Sequence, residues 1–331
     1  MSARIDERNE IMASRSSKNR KMRQDRMMKA GMAAGAFLLV LIITVSAFAG
    51  KNNKKADKAD ETPAVSSTVK TSKLEFEIKF VRSSDIHKGS LVLVNDSHVF
   101  PGLSEEESLT VVDELKNEYY SVKSIGMKMD SLALKSFNNL MSGFYQQCSN
   151  NDIMITSAFI SENSQNLIYN QALENSRSES RGGYSEHQTG LAVDLGIFPD
   201  DSKSYRYVPS GDYAWIKENC TRYGFIQRYA DDKSDKTGVK NHTEHFRYVG
   251  IPHAWYIKEN NLSLEEYLQE IKKYSYGSKT LSVSCYEKDY EIYYIKAKEN
   301  ESDSADIYVP VNQQYTVSGN NVDGFIITVE K

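Results

Sequence analysis

The chain has 331 residues, of which 40% are hydrophobic and 26% are charged, and its formal net charge is −4. That length supports one substantial hydrophobic core together with a smaller domain and a tail. The slightly acidic balance lacks the basic surface that nucleic-acid binding requires, so we expect no nucleic-acid partner. Three cysteines are too few for a disulfide scaffold, which favours buried thiols.

The N-terminal region predicts a membrane anchor. Residues 1–29 contain nine Lys or Arg and four Asp or Glu, and residues 30–50 form an uncharged, largely apolar run. A run of this length suits one bilayer crossing, and the positive charge before it predicts a cytoplasmic N-terminus. A cleaved signal peptide is the alternative, since residues 47–49 (Ala-Phe-Ala) fit a cleavage site, but the long basic leader favours an uncleaved transmembrane helix. Residues 51–73, rich in Lys, Asp, Ala, Ser and Thr, indicate a solvated linker.

Residues 74–150 form the lead-in region of the predicted extracytoplasmic body. The alternation of apolar and polar residues at 74–80 predicts a half-buried strand, and the segment 90–95 predicts a second one. Helical spacing follows at 108–117 and again at 132–147, where an apolar stripe indicates that one face of the helix is buried.

Residues 151–274 form the predicted core, and residues 275–331 form a small all-β appendage. The core combines short buried strands with helices, one of which begins at the capping box Ser263 to Glu266. The appendage shows apolar runs, several with period-two alternation, and turn clusters divide them. The pattern predicts core strands at 153–158 and 225–229, core helices at about 162–175 and 213–223, and C-terminal strands at 281–285, 290–295, 307–311 and 325–329.

The histidines are concentrated in two short segments. Of six in the chain, three are His187, His242 and His245. His187 and Asp194 are separated by Gly190 and an apolar run, a pattern that predicts a turn entering a buried strand. Two imidazoles and a carboxylate form a good donor set for zinc with a fourth position open for water. We expect His245 to be the third ligand, with His242 as the alternative because His-x-x-His can also chelate.

The motif Ser-x-His-x-x-Gly-x-Ala-x-Asp over residues 185–194, followed by His-Phe-Arg-Tyr-Val-Gly from His245, carries a family resemblance. It resembles the zinc D-alanyl-D-alanine carboxypeptidases of the VanY type, which trim the terminal D-alanine from peptidoglycan stem peptides. The resemblance covers about residues 153–274. It implies an α+β fold with a mixed or antiparallel sheet and flanking helices, zinc bound by His187, Asp194 and His245, and Ser185 near the substrate.

Two positions depart from the family pattern. The family's second motif is Glu-x-Trp-His, in which the Glu is the general base; His242 stands at the Glu position here and Glu244 at the Trp position. We take both as candidate bases, although Glu244 would face away from His245 in a regular strand without a bulge. Ile160 stands where the family has a substrate-contacting Arg. Arg181, or Arg177, is the candidate replacement.

These observations favour an enzyme, a cell-wall metallopeptidase that removes the terminal D-alanine of stem peptides. The alternative is a catalytically impaired domain that keeps zinc and binds peptidoglycan or peptide, or has a regulatory role; a zinc peptidase or amidase acting on another wall peptide is a weaker third. We expect a single-pass protein of the cell membrane, with the body outside a Gram-positive bacterium.

Overall fold

The structure, a computed structural model, describes residues 75–103, 109–175, 179–199, 203–240, 242–300 and 303–331. The predicted cytoplasmic segment 1–29, the predicted transmembrane helix 30–50, the predicted linker 51–73 and residue 74 lie outside the described residues. Within the described ranges, no helix combines the length and the apolar character that a bilayer crossing needs. The anchor therefore stays a prediction.

The described part of the chain alternates strands with helices, as the α+β prediction requires. The helices are α1 (Val112–Leu115), α2 (Ser131–Cys148), α3 (Glu162–Glu174), α4 (Ala214–Asn219), α5 (Ser234–Thr237), α6 (Ile251–Glu259) and α7 (Leu264–Ile271). The strands are β1 (Phe76–Arg82), β2 (Leu109–Val111), β3 (Ser121–Val122), β4 (Lys128–Asp130), β5 (Ile153–Ser157), β6 (Ala192–Ile197), β7 (Tyr205–Arg206), β8 (Phe225–Tyr229), β9 (His242–Tyr248), β10 (Leu281–Cys285), β11 (Lys288–Lys296), β12 (Ser304–Pro310), β13 (Tyr315–Gly319) and β14 (Gly324–Glu330).

The central sheet has the order β3-β5-β6-β9-β8, and β7 pairs with β6. β3 and β5 are parallel, whereas the pairings of β5 with β6, β6 with β9 and β8 with β9 are antiparallel. The sheet is therefore mixed, which confirms the α+β class.

Helix α2 packs its apolar face against this sheet. The side chain of Asp130 caps its first turn by accepting hydrogen bonds from the backbone N–H groups of Leu132 and Ala133. Phe137 lies on the buried face, with its ring centroid 5.9 Å from that of Phe225 on β8. The helix ends where Ser149 adopts a left-handed backbone conformation. The apolar stripe thus predicted both the helix and its buried face.

The predicted strand at 90–95 is not a strand in the structure. Leu91 and Leu93 pack into one apolar cluster, and Val92 and Val94 pack into another. The alternation therefore reflects a segment whose side chains are buried on both sides, between two apolar cores. Its backbone forms hydrogen bonds that belong to no β-sheet, such as those from Leu91 N–H to Ser318 Oγ and from Leu93 N–H to the carbonyl of Asn320. The prediction of a helix at 108–117 is also wrong in part, because the described residues there form β2 and the short α1.

The C-terminal region is rich in strands, as predicted. β10, β11, β14 and β13 form an antiparallel sheet in that order, and β13 lies partly where the sequence predicted only a turn cluster. β1, from the lead-in region, pairs antiparallel with β12. The sequence analysis assigned β1 and β12 to two separate regions, 74–150 and 275–331, and the structure pairs these two strands in one sheet. The cysteines, all within the described residues, are free thiols.

His253 joins α6 to α7 and to the C-terminal sheet. Its Nδ1 lies 2.5 Å from the Tyr267 hydroxyl, and its Nε2 lies 3.0 Å from Oγ1 of Thr328. Burial away from water lowers the pKa of His253 to about 3. The folded protein therefore keeps this imidazole neutral at a pH at which the unfolded chain, with an ordinary histidine pKa near 6.5, binds a proton.

This difference predicts acid sensitivity. Because the unfolded state binds the extra proton, the free energy of unfolding falls as the pH drops below about 6.5, and at pH 5 the loss from His253 is roughly 2 kcal/mol. Urea unfolding at pH 7 and pH 5 measures it, with both proteins in the same metal state. The His253→Gln variant should lose less stability between the two pH values than the wild type does. An equal loss in both proteins would show that other groups carry the acid sensitivity.

Candidate metal centre

The sheet and one tight turn bring three predicted metal ligands together. His187 lies in the 3-10 turn Glu186–Thr189, which ends at Gly190 in a left-handed conformation (φ 72°). A Cβ at Gly190 would meet Cδ2 of Leu109 at 2.5 Å, so both the conformation and the space favour glycine. Asp194 on β6 and His245 on β9 are direct partners in the antiparallel register.

The donor atoms of these residues surround one point. His187 Nε2 lies 3.1 Å from Asp194 Oδ2, and His245 Nδ1 lies 2.8 Å from Asp194 Oδ1. One ligand atom from each residue can be chosen so that all lie within 4.8 Å of one another. A tetrahedral zinc with bonds of about 2.0–2.1 Å sets its donors roughly 3.3 Å apart, so only small side-chain shifts separate this arrangement from a zinc site. The donor set therefore fits zinc.

The charges in the site also favour a cation. Burial opposes the charge on Asp194, but His187 and His245 outweigh it and hold the pKa of this carboxyl well below its usual range. Burial also opposes a proton on His245, yet Asp194 and Glu186 raise its pKa to about 9. Without metal, a proton on His245 therefore balances the carboxylates. A divalent cation that binds here displaces it.

Glu186, next to His187 in the turn, contacts the site from behind. Its Oε2 lies 3.2 Å from His245 Nε2, and its Oε1 accepts hydrogen bonds from Arg228 Nε at 2.9 Å and Arg247 NH1 at 2.7 Å. These residues are buried. The sequence analysis gave Glu186, Arg228 and Arg247 no role at the site. Arg247 is two residues beyond His245 on the same strand, a spacing that places both side chains on one face and could have pointed to it.

Comparison with known proteins identifies the family. A family model described as D-alanyl-D-alanine carboxypeptidase (VanY) matches residues 126–251. A D-alanyl-D-alanine carboxypeptidase of Enterococcus faecium is 33% identical over 263 residues, which cover 76% of this chain and 78% of the relative. The chain belongs to the VanY family. Homologues in this zinc-dependent family include D-alanyl-D-alanine carboxypeptidases, which confirms the predicted enzyme class and zinc as the cofactor.

A solved structure with a TM-score above 0.5 supports this relationship. The vancomycin-resistance D,D-dipeptidase VanXYg, in complex with a D-Ala-D-Ala phosphinate analogue, is 30% identical, covers 78% of this chain and 100% of its own, and has a TM-score of 0.67. A variant of the VanY D,D-pentapeptidase from a VanB-type resistance cassette, in complex with Zn(II), is 28% identical over 54% of this chain and 98% of its own, with a TM-score of 0.42. The protein is a cell-wall metallopeptidase of this class.

His242, the first candidate base, lies beside the ligands. The pairing of β8 with β9 is irregular, because Gln227 pairs with Phe246 whereas Tyr229 pairs with His242. The extra residues on β9 bring the ring centroids of His242 and His245 to 6.4 Å, although residues three apart in a regular strand face opposite sides.

The other candidate base, Glu244, is engaged elsewhere. Its carboxylate forms an ion pair of 2.7 Å with Arg206 on β7. The choice of base between His242 and Glu244 stays a prediction.

The predicted substrate-binding residues differ in burial and in their contacts with the turn that carries His187. Ser185 is buried and directly precedes the turn that carries His187. The backbone N–H of Ile160 donates a 3.3 Å hydrogen bond to the carbonyl of His187, which places this apolar side chain next to the site. Arg181 is exposed, with its guanidinium 3.9 Å from the ring centroid of Tyr184. Arg177 lies outside the described residues.

Proposed function

We propose that this protein is a membrane-anchored carboxypeptidase that removes the terminal D-alanine of peptidoglycan stem peptides by means of a zinc-activated water. The observation that carries the proposal is the convergence of His187, Asp194 and His245 on one point. The relative solved with a D-Ala-D-Ala phosphinate analogue supports this substrate class. The anchor and the outward-facing location rest on the apolar run at residues 30–50 and the basic segment before it.

The chain's own residues divide the work of hydrolysis. His187, Asp194 and His245 would hold the zinc, which when bound would polarise the scissile carbonyl and lower the pKa of a bound water. His242 would act as general base, accepting the proton of the attacking water and passing it to the amine of the leaving D-alanine.

One observation favours a second function, a zinc-retaining domain that binds peptidoglycan or peptide without cleaving it. Ile160 supplies no positive charge next to His187, and the exposed Arg181 contacts Tyr184. In this alternative, His242 does not act as a base. The two functions therefore differ in turnover and share the metal site.

The deciding experiment measures zinc content and D-alanine release from a stem pentapeptide with the full chain in detergent. We expect the wild type to bind zinc and release D-alanine, and His187→Ala to lose both, because a missing imidazole leaves the site one donor short. His98→Ala is the control, since His98 contacts Asn95 away from the site. A wild type that binds zinc and releases no D-alanine, while His242→Glu does release it, would establish the binding domain instead.

A further inference from the structure

We propose that Glu186 is a positioning residue that fixes the orientation and tautomer of the metal ligand His245. The inference rests on the zinc site of the proposed function and is independent of turnover. Glu186 belongs to none of the predicted ligands, bases or substrate contacts. Its place behind the site follows from the turn that also carries His187, since the two residues are adjacent.

The contacts of His245 are directional. Nδ1 faces Asp194 Oδ1 at 2.8 Å, within the donor set, and Nε2 faces Glu186 Oε2 at 3.2 Å. A histidine that binds a metal through one nitrogen carries its proton on the other, and that proton needs an acceptor. The carboxylate of Glu186 accepts but cannot donate, so it selects the tautomer with the proton on Nε2. The lone pair of Nδ1 is then directed at the metal.

The two histidine ligands are supported unequally. Nδ1 of His187 is buried and has no hydrogen-bond partner among the described residues. His187 Nε2 is the nitrogen that faces Asp194. Among the described residues, Glu186 therefore gives His245 a carboxylate acceptor at the nitrogen that faces away from the donor set. The corresponding nitrogen of His187 has none there. Removing that acceptor should accordingly affect the metal.

Glu186 is itself held rigidly, with its two oxygens used for different purposes. Oε1 accepts from Arg228 and Arg247, which leaves Oε2 for His245. The ion pairs with Arg228 Nε at 2.9 Å and with Arg247 at 2.7 Å supply two positive charges to the buried carboxylate. These contacts keep it an acceptor.

The two arginines connect Glu186 to separate parts of the fold. Arg228 also donates to Glu265 on α7, at 3.0 Å and 2.6 Å. Arg247 donates through NH2 to the carbonyls of Ser90 and Val92, at 3.0 Å and 2.8 Å. The segment between the two apolar cores, which the sequence pattern suggested was a strand, thus supports the metal site through its carbonyl groups.

The test compares Glu186→Gln with Glu265→Gln in the full chain. Each substitution removes one carboxylate charge from Arg228. Glutamine at position 186 keeps a single acceptor oxygen, which the donors of Arg228 and Arg247 draw to their side, so its NH2 group faces His245 Nε2 in place of an acceptor. Glu265→Gln leaves the acceptor of His245 in place. By competition with a chromophoric chelator, we expect Glu186→Gln to lower zinc affinity roughly 10- to 100-fold, the usual cost of losing such a contact, and Glu265→Gln to stay near the wild-type affinity. Equal affinities in the two variants would overturn the proposal.

A second measurement does not depend on a variant that folds. In zinc-loaded wild type labelled with ¹⁵N-histidine, NMR should show the His245 proton on Nε2 and the metal on Nδ1. In folded Glu186→Gln, the hydrogen-bonded Nε2 proton signal should be lost or shifted, an effect that a general loss of stability would not produce. A proton on Nδ1 of His245 in the wild type would refute the role of Glu186, whether or not D-alanine is released.

Discussion

His242→Ala is expected to lower kcat for D-alanine release by roughly 10²- to 10⁴-fold, the contribution typical of a general base, while zinc content stays unchanged. The physical reason is that His242 lies beside His245 but outside the group of described residues that can share one metal ion. Steady-state kinetics on the zinc-loaded full chain, with zinc measured on the same samples, checks both parts. His242→Glu should retain activity, because it restores the residue type of the family at that position.

The matched control is Glu244→Gln. Glu244 forms an ion pair with Arg206 and is half-buried, as His242 is. The substitution therefore tests whether any change at this end of β9 slows the reaction. We expect kcat to remain close to the wild-type value. A large loss in Glu244→Gln with little effect in His242→Ala would transfer the role of base to Glu244.

Arg247→Met is expected to destabilise the protein by about 3–5 kcal/mol, the usual cost of removing one partner from a buried ion pair. The Arg247 side chain is fully buried, and it neutralises Glu186 while donating to the carbonyls of Ser90 and Val92. Methionine fills similar volume but leaves those carbonyls without a donor, which adds to the cost. Urea denaturation of zinc-loaded wild type and variant measures the difference.

Arg82→Met provides the comparison for a surface arginine. The Arg82 side chain is 67% exposed and pairs with Asp85 at 3.2 Å. Water and salt screen such a pair, so we expect a change of less than about 1 kcal/mol. If the two variants were destabilised by the same amount, the buried network around Glu186 would not be the source of the stability assigned to it.

The proximity of His187 and Asp194 could be predicted because the local sequence encodes the turn between them. Glycine and an apolar run between His187 and Asp194 define a turn and a buried strand, and few residue types bind zinc. Glu186 was missed because a glutamate beside a histidine has no special pattern. Its role depends on Arg228 and Arg247, which reach it only after β8 and β9 pair.

The strand prediction at 90–95 failed for a different reason. Period-two alternation reports that side chains are buried on alternate sides, and it does so correctly for Leu91 to Val94. It does not report what binds the backbone. Here part of that role falls to the side chains of Arg247 and Asn321 and to the carbonyl of Asn320, which accepts from Leu93 N–H.

The pairing of β1 with β12 has a consequence for biosynthesis. Phe76 pairs with Pro310 in the register of the two strands. The ribosome therefore synthesises β12 long after β1. Closing so long a loop carries an entropic cost that slows folding. A chain whose synthesis stopped before Ser304 would lack β12, and the β1 backbone would have no partner. Incomplete chains would thus expose unpaired backbone N–H and C=O groups along β1, which favour aggregation and binding by chaperones.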